Sequence, residues 1–441
     1  MNKILIVLLL VGNYALAQND ATAAKTIGFN SEFAYKMLDP NQDLRKVNIL
    51  LEEREKGDIK NKALIIGTSL ISIFDYQRSN TDSKFAYLMR HPTSNNQIGK
   101  EVSEAVIHSF QISLTATVNN WLSTHTELLY NPEQSFGSGT ITALNRNQLQ
   151  LRKGFVVIGD LAKFPIYGAI GKMDAPFGQM GSVSPFTNTT MWHAFGGLGY
   201  GAQVGLKKGG LHAKFMAVQG GAQFRAMNTP VGEDATNVPS KINNYVADLN
   251  YSFNVGSNIN LLVGASYLKG SAYCQDFPVT HFTSCQESND AYTYYATLNI
   301  NDNLSIKGGF AKTMEVWNGT HNPTPPLNVF EASKVSSLDL GAKYDLNQSD
   351  KMQYTISGEF SNFRAGADGA PWERQNQYIL GFSTLINNSS KLFVEVFRTE
   401  GYAPLNFISG SEDFAPFPPG VTHSVRDASS MGIVLGAQVT F

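Results

Sequence analysis

The last twelve residues, Ser430 to Phe441, alternate without a break between an apolar face and a small or polar one. Met431, Ile433, Leu435, Ala437, Val439 and Phe441 fall on the first face. Gly432, Val434, Gly436, Gln438 and Thr440 fall on the second. Side chains of a strand point alternately to opposite sides, so a period of two marks a strand between two environments. At the edge of a soluble sandwich this strand would offer unpaired backbone and an apolar face to other chains. The pattern therefore fits a closed sheet better than an open one.

The same period recurs from Ala63 onward. It predicts strands at 63–77, 107–118, 122–131, 147–159, 165–173, 199–207, 211–219 and 243–253. A second set follows at 259–269, 291–300, 304–313, 335–346, 352–363, 376–386, 391–399 and 430–441, giving sixteen in all. Typical faces set Tyr245, Ala247, Leu249, Tyr251 and Phe253 against Asp248, Asn250 and Ser252, or Tyr378, Leu380 and Phe382 against Gly381 and Ser383. One segment resists, because Lys153 shares its face with Leu149, Leu151, Phe155 and Val157. A β-bulge near Gly154 would re-aim it.

The connections alternate between short and long. The short ones, such as Asn119-Asn120-Trp121, Lys208-Gly209-Gly210, Asn301-Asp302-Asn303 and Asn387 to Ser390, hold the Gly, Asn and Asp that hairpin turns require. The long ones are 78–106, 132–146, 174–198, 220–242, 270–290, 314–334, 364–375 and 400–429. A soluble sandwich has no reason to collect its long loops at one end. A transmembrane barrel does, with short periplasmic turns and long extracellular loops. The expected fold is all-β: a single transmembrane antiparallel β-barrel of sixteen strands over 63–441. Charged residues make up only 16% of the chain, and the mean hydropathy of −0.16 is what a barrel gives when half of each strand faces water.

The first residues read as a secretory signal peptide over 1–17, with an apolar run from Ile4 to Val11 and a small-x-small site at Ala15-Leu16-Ala17. Residues 18–62 form a periplasmic or lumenal segment. In it, Asp39-Pro40 reads as the start of a short helix carrying Leu44, Val47 and Leu51, and Gly57 ends it. Met37, Leu44 and Leu51 also make a heptad stub. Cys274 and Cys285, eleven apart in a polar stretch, are expected to form a loop disulfide in an oxidising compartment. Neither a metal site nor a cofactor is expected, and a net charge of −2 points to no nucleic-acid partner.

A sixteen-strand barrel leaves an aqueous channel. Arg152, Lys172, Lys207, Lys214, Asp248, Lys307, Asp339, Lys343 and Glu359 suit its wet face. The expected constriction is loop 174–198. Pro176 and Gly178 re-aim the chain there, and Phe177, Phe186, Met191, Trp192, His193 and Phe195 supply aromatic or apolar surface. A hydrolase alternative rests on Ser123, His125 and Glu127, which share one face of the strand at 122–131. Alternate residues of a strand lie nearly 7 Å apart, too far for triad contacts.

The element Gly171-Lys172-x-x-x-Pro176-Phe177-Gly178, the signal peptide, the N-terminal helical stub, the sixteen strands and the terminal Phe441 together resemble the LbtU-type siderophore porins. These are outer-membrane barrels related to the legiobactin receptor. General and phosphate-type porins carry a similar element. The resemblance implies an outer-membrane porin, not an enzyme, that passively admits a hydrophilic solute, with a ferric siderophore as the first expectation. A general or anion-type diffusion porin is the alternative. It also implies outer-membrane lipid, the barrel assembly machinery (through Phe441) and a homotrimer as partners.

Overall fold

The computed structural model describes residues 27–41, 43–81, 100–130, 149–219, 242–273, 289–301, 303–347, 349, 351–403, 420, 422 and 424–441. A short strand β1 (Ile27–Phe29) leads into helices α1 (Ser31–Leu38) and α2 (Lys46–Glu55). The first half of the wall is β2 (Ala63–Ser79), β3 (Glu101–Thr117), β4 (Leu122–Tyr130), β5 (Gln150–Ile158), β6 (Ile166–Asp174), β7 (Leu198–Lys208), β8 (Leu211–Gln219) and β9 (Ile242–Val255). Helix α3 (Thr190–Phe195) lies between β6 and β7. The second half is β10 (Ile259–Leu268), β11 (Ala291–Ile300), β12 (Leu304–Thr313), β13 (Ser336–Asn347), β14 (Met352–Arg364), β15 (Arg374–Ile386), β16 (Ser390–Tyr402) and β17 (Val425–Thr440). All sixteen predicted strands form.

Each strand from β2 to β17 pairs antiparallel with the next, and β17 pairs with β2, so the sheet closes. The seam runs from Ser430 opposite Ser79 to Thr440 opposite Ser69, and Phe441 and Thr68 exchange two backbone hydrogen bonds of 2.9 Å. The alternation of the last strand holds: Met431, Leu435 and Val439 are exposed on the outside, while Val434, Gln438 and Thr440 are buried. The same split runs round the wall, with Leu249, Tyr251, Phe253, Leu380, Phe382 and Val396 outside and Asp248, Asn250, Ser383 and Glu395 inside. An apolar exterior on a sheet without open edges is what lipid requires, because hydrocarbon cannot satisfy backbone polar groups. Short turns use the predicted residues: Asn387 and Asn388 both take positive φ, as a type I′ hairpin demands.

Three readings change. The bulge opposite β4 falls at Arg152, since Glu127 pairs with Lys153 and Leu128 with Leu151. It turns Leu149 and Leu151 outward while Lys153, Phe155 and Val157 are buried. Asp39-Pro40 does not begin a helix. Asp39 is the C-cap of α1, which Asn30 caps at its N-terminus through Phe33 N–H, and α2 starts six residues after Pro40. The heptad stub is accordingly split between two helices. Finally, β2, β3 and β17 extend beyond 63–77, 107–118 and 430–441 at their long-loop ends. Pairing continues there past the apolar belt, where no hydrophobic alternation marks it. The signal peptide and both cysteines lie outside the described residues.

If this face meets lipid, Leu380→Arg near the middle of β15, a position 69% exposed, should cost about 2–4 kcal/mol in reversible unfolding from vesicles. An unchanged denaturant midpoint would contradict the placement of the belt.

Candidate functional site in the lumen

Loop 174–198 folds inward. Pro176 ends β6, Gly178 takes a φ of +68°, and its N–H donates to Ser266 Oγ at 2.9 Å across the barrel on β10. The loop then reaches the far wall. Val183 N–H (3.0 Å) and the hydroxyls of Ser184 (2.8 Å) and Ser182 donate to the Glu359 carboxylate on β14. Phe186 N–H (2.6 Å), Thr187 N–H (3.1 Å) and Thr187 Oγ1 (2.6 Å) donate to Glu395 on β16. Gly341 and Gly381 make room for it: a Cβ there would stand 2.6 Å from Val183 Cγ2 and 2.5 Å from Pro185 Cδ. Thr189 caps α3 by accepting from Trp192 N–H, and Thr190 N–H donates to Ser361 at 3.0 Å.

The N-terminal segment also lies inside. α1 buries Phe33, Ala34, Met37 and Leu38, and α2 buries Val47, Ile49, Leu50 and Leu51. Their polar contacts reach inward-facing groups around the wall. Asp39 pairs with Lys391 of β16 at 3.2 Å, Glu52 with Lys207 of β7 at 2.8 Å, and Arg54 donates to Ser123 of β4 at 3.1 Å. Ser182 N–H donates to Asn41 O at 2.8 Å, tying the segment to the loop. Outside the lumen, β1 runs parallel to β2, with Ile27 to Phe29 opposite Leu64 to Ile66. β3 takes the other edge of those residues, so β1 continues the position of β17 just beyond Phe441.

Between segment, loop and wall remains a cavity of about 200 Å³. Residues 43–48 line one side, Asp174 to Pro176 and Gly178 to Val183 with Trp192 another, and Gln203, Lys214, Thr297, Lys307 and Lys343 the wall. Lys214 pairs with Asp248 at 2.9 Å, and Lys307 with Asp339 at 2.8 Å. Lys46 is buried, and its ammonium donates to Lys36 O (2.6 Å) and Asp39 O (3.0 Å). Burial, and then the charge of Lys153, push Lys46 down to about 8 against the opposing pull of Asp43 and Asp39.

The structure separates the predicted site residues into groups. Pro176, Gly178, Trp192 and Lys214 line the cavity. Phe177 packs on Phe195 within the loop, and Phe186 stacks on Phe393 of β16 at 5.4 Å, so the first braces the loop on itself and the second pins it to the wall. His193 is buried against Trp192, and Glu359 is an anchor. Lys172 donates to Leu151 O at 2.9 Å and sits 5.6 Å over the Tyr200 ring, and Arg152 is the bulged residue of β5. Arg45, Lys46 and Asn48 escaped the sequence reading because nothing local to 18–62 shows that it enters a barrel. Glu395 was not among the residues expected on the wet face, although the alternation of the strand at 391–399 sets it opposite Leu392, Val394 and Val396. For the hydrolase alternative, Ser123 Oγ accepts from Arg54, and His125 Nδ1 lies 2.8 Å from Thr115 Oγ1. Nucleophile and base are each held by other partners.

No protein-family model matches the chain. A UPF0422 protein of Coxiella burnetii is 29% identical over 174 residues, covering 37% of this chain and 32% of that one, so the chain spans about a third of the curated relative it matches. Among solved structures, the high-pH form of Pseudomonas putida OprB has a TM-score of 0.50 at 9% identity, covering 85% of this chain and 94% of that one. The outer-membrane channel DcaP of Acinetobacter baumannii gives 0.48 at 12% identity (86% and 97% covered), and an anion-selective porin from Comamonas acidovorans 0.47 at 12% (86% and 99%). At 9% identity the likeness to OprB is one of fold alone. With its apolar exterior, the barrel belongs in the bacterial outer membrane.

Two outcomes are expected. Glu395→Ala strands the Phe186 and Thr187 N–H groups, costing roughly 1–3 kcal/mol. It should open the loop to chymotrypsin at Phe186 or Trp192, and unchanged digestion would speak against the anchor. For Asp39, burial alone would raise the carboxyl, but Lys391 and Lys46 hold it below the ordinary value. Its contribution is thus complete above the unfolded pKa of about 3.9 and is lost as pH falls through the lower folded value. Stability of the native protein relative to Asp39→Asn should be constant at neutral pH and converge only in strong acid. Convergence near neutrality would refute the pair.

Proposed function

We propose that this protein is an outer-membrane channel through which hydrophilic solutes pass passively. The observation that carries this reading is the space of about 200 Å³ kept open inside a sixteen-strand wall, where lysines, amides and loop backbone stand among apolar side chains such as Phe155, Met180 and Trp192. Loop 174–198 narrows the lumen at mid-height, and segment 27–62 fills it toward the short turns. Nothing in this arrangement assembles a nucleophile with its base, so the hydrolase alternative loses its geometric support.

The resemblance to siderophore porins adds a finer cargo, a ferric siderophore. A complex of that bulk needs more room than about 200 Å³, so this reading requires segment 27–62 to leave the lumen. Displacement would have to break the apolar packing of Phe33, Met37, Val47, Leu50 and Leu51 against Phe155, Val157 and Tyr167 of the wall, together with the ion pairs of Asp39 and Glu52. A homotrimer and recognition of Phe441 by the assembly machinery belong to the same proposal.

Planar-bilayer recordings of the purified full chain should show steps of conductance, which rise several-fold when residues 27–62 are deleted. Silence from both proteins would remove the channel reading. Uptake of labelled ferric siderophore that is unaffected by loss of the protein would remove the cargo alone.

A further inference from the structure

The loop sorts the charges of the lumen. Glu359 and Glu395 are the wall carboxylates nearest its path, and both are saturated by loop donors. The two acids that line the cavity are also engaged, Asp43 by Arg45 at 2.8 Å and Asp174 by Lys153 at 2.7 Å. The ammonium of Lys46 is hydrogen-bonded by two carbonyl oxygens and balanced by Asp43 and Asp39, whereas Lys343 has no hydrogen-bond or ion-pair partner among the described residues. Asn48 is 5% exposed. Its Oδ1 accepts from Tyr167 at 3.3 Å, which leaves Nδ2 buried and unpartnered on a residue that lines the cavity. Arg45 to Asn48 at the start of α2 line the same space, where the helix has no side-chain cap.

We infer that this cavity is a binding site for a small oxyanion, carboxylate or phosphate, and that it makes the channel prefer anions. An anion supplies both the acceptor that Asn48 Nδ2 lacks and the counter-charge that Lys343 lacks. A neutral solute supplies only the first, and a cation is repelled. Backbone and amide donors with nearby ammonium groups are the usual means of holding such groups. The transport half rests on the channel reading above, whereas the binding half does not.

Isothermal titration of the detergent-solubilised full chain with citrate and with inorganic phosphate tests the site. Reversal potentials in a potassium chloride gradient test its effect on passage. The native protein should bind at least one of the two anions and pass chloride in preference to potassium. Asn48→Asp, which adds one negative charge near a bound anion, should weaken binding about tenfold and lower the chloride preference about threefold, and Lys343→Glu, which changes the charge by two, should do at least as much. Lys343→Arg should keep both. Native protein that neither binds nor prefers chloride overturns the inference whatever the variants do, as does unchanged binding by both charge variants. Conductance without preference or binding defeats the site and leaves the channel. Binding without conductance defeats the channel and leaves the site.

Discussion

Closure of the sheet is the constraint on which everything else depends. Each strand edge in hydrocarbon must find a partner, and the last edge is found only when β17 pairs with β2. That pairing brings the two ends of the described chain together. Phe441 ends the seam at Thr68, and β1 occupies the next residues of the same β2 edge. The N-terminal segment therefore starts at the joint of the barrel and turns inward from there, so its position in the lumen follows from the closure.

Closure also creates the lumen's problem. Sixteen strands enclose more space than their own side chains fill. Here two inserted pieces occupy it, and they do so with different chemistry. Segment 27–62 brings an apolar side, through Met37, Leu38, Leu50 and Leu51, and a few ionic ties. Loop 174–198 brings backbone N–H and hydroxyl donors and spends them on Glu359 and Glu395. The result is a cavity lined by Arg45, Lys46, Lys214, Lys307 and Lys343 but only by Asp43 and Asp174 among the acids, although the chain as a whole carries a net charge of −2. Local selectivity and overall charge are separate quantities in such a molecule, because a solute meets only the side chains that line its path.

The wall was legible in the sequence to a degree that the interior was not. Strand positions follow from a period-two pattern that lipid on one side and water on the other impose residue by residue, and turn chemistry marks the short ends. Lys153 shows where that logic strains, and one bulged residue, Arg152, resolved it. Phe177 and Phe186 show its limit: an aromatic in a loop reads the same whether it faces a solute or, as with Phe186 on Phe393, a wall.

The sequence alone determined that this chain makes a closed sheet of sixteen strands, which side chains face out, and which loops are long. These are consequences of nearest-neighbour alternation and need no knowledge of distant partners. Only the tertiary structure decided that the loop crosses to Glu359 and Glu395, that Asp39 meets Lys391, and that Lys46 and Asn48 share a cavity with Lys343. Those contacts join residues far apart in the chain. Their partners are chosen by where the closed barrel places each inward group, and no local pattern encodes that.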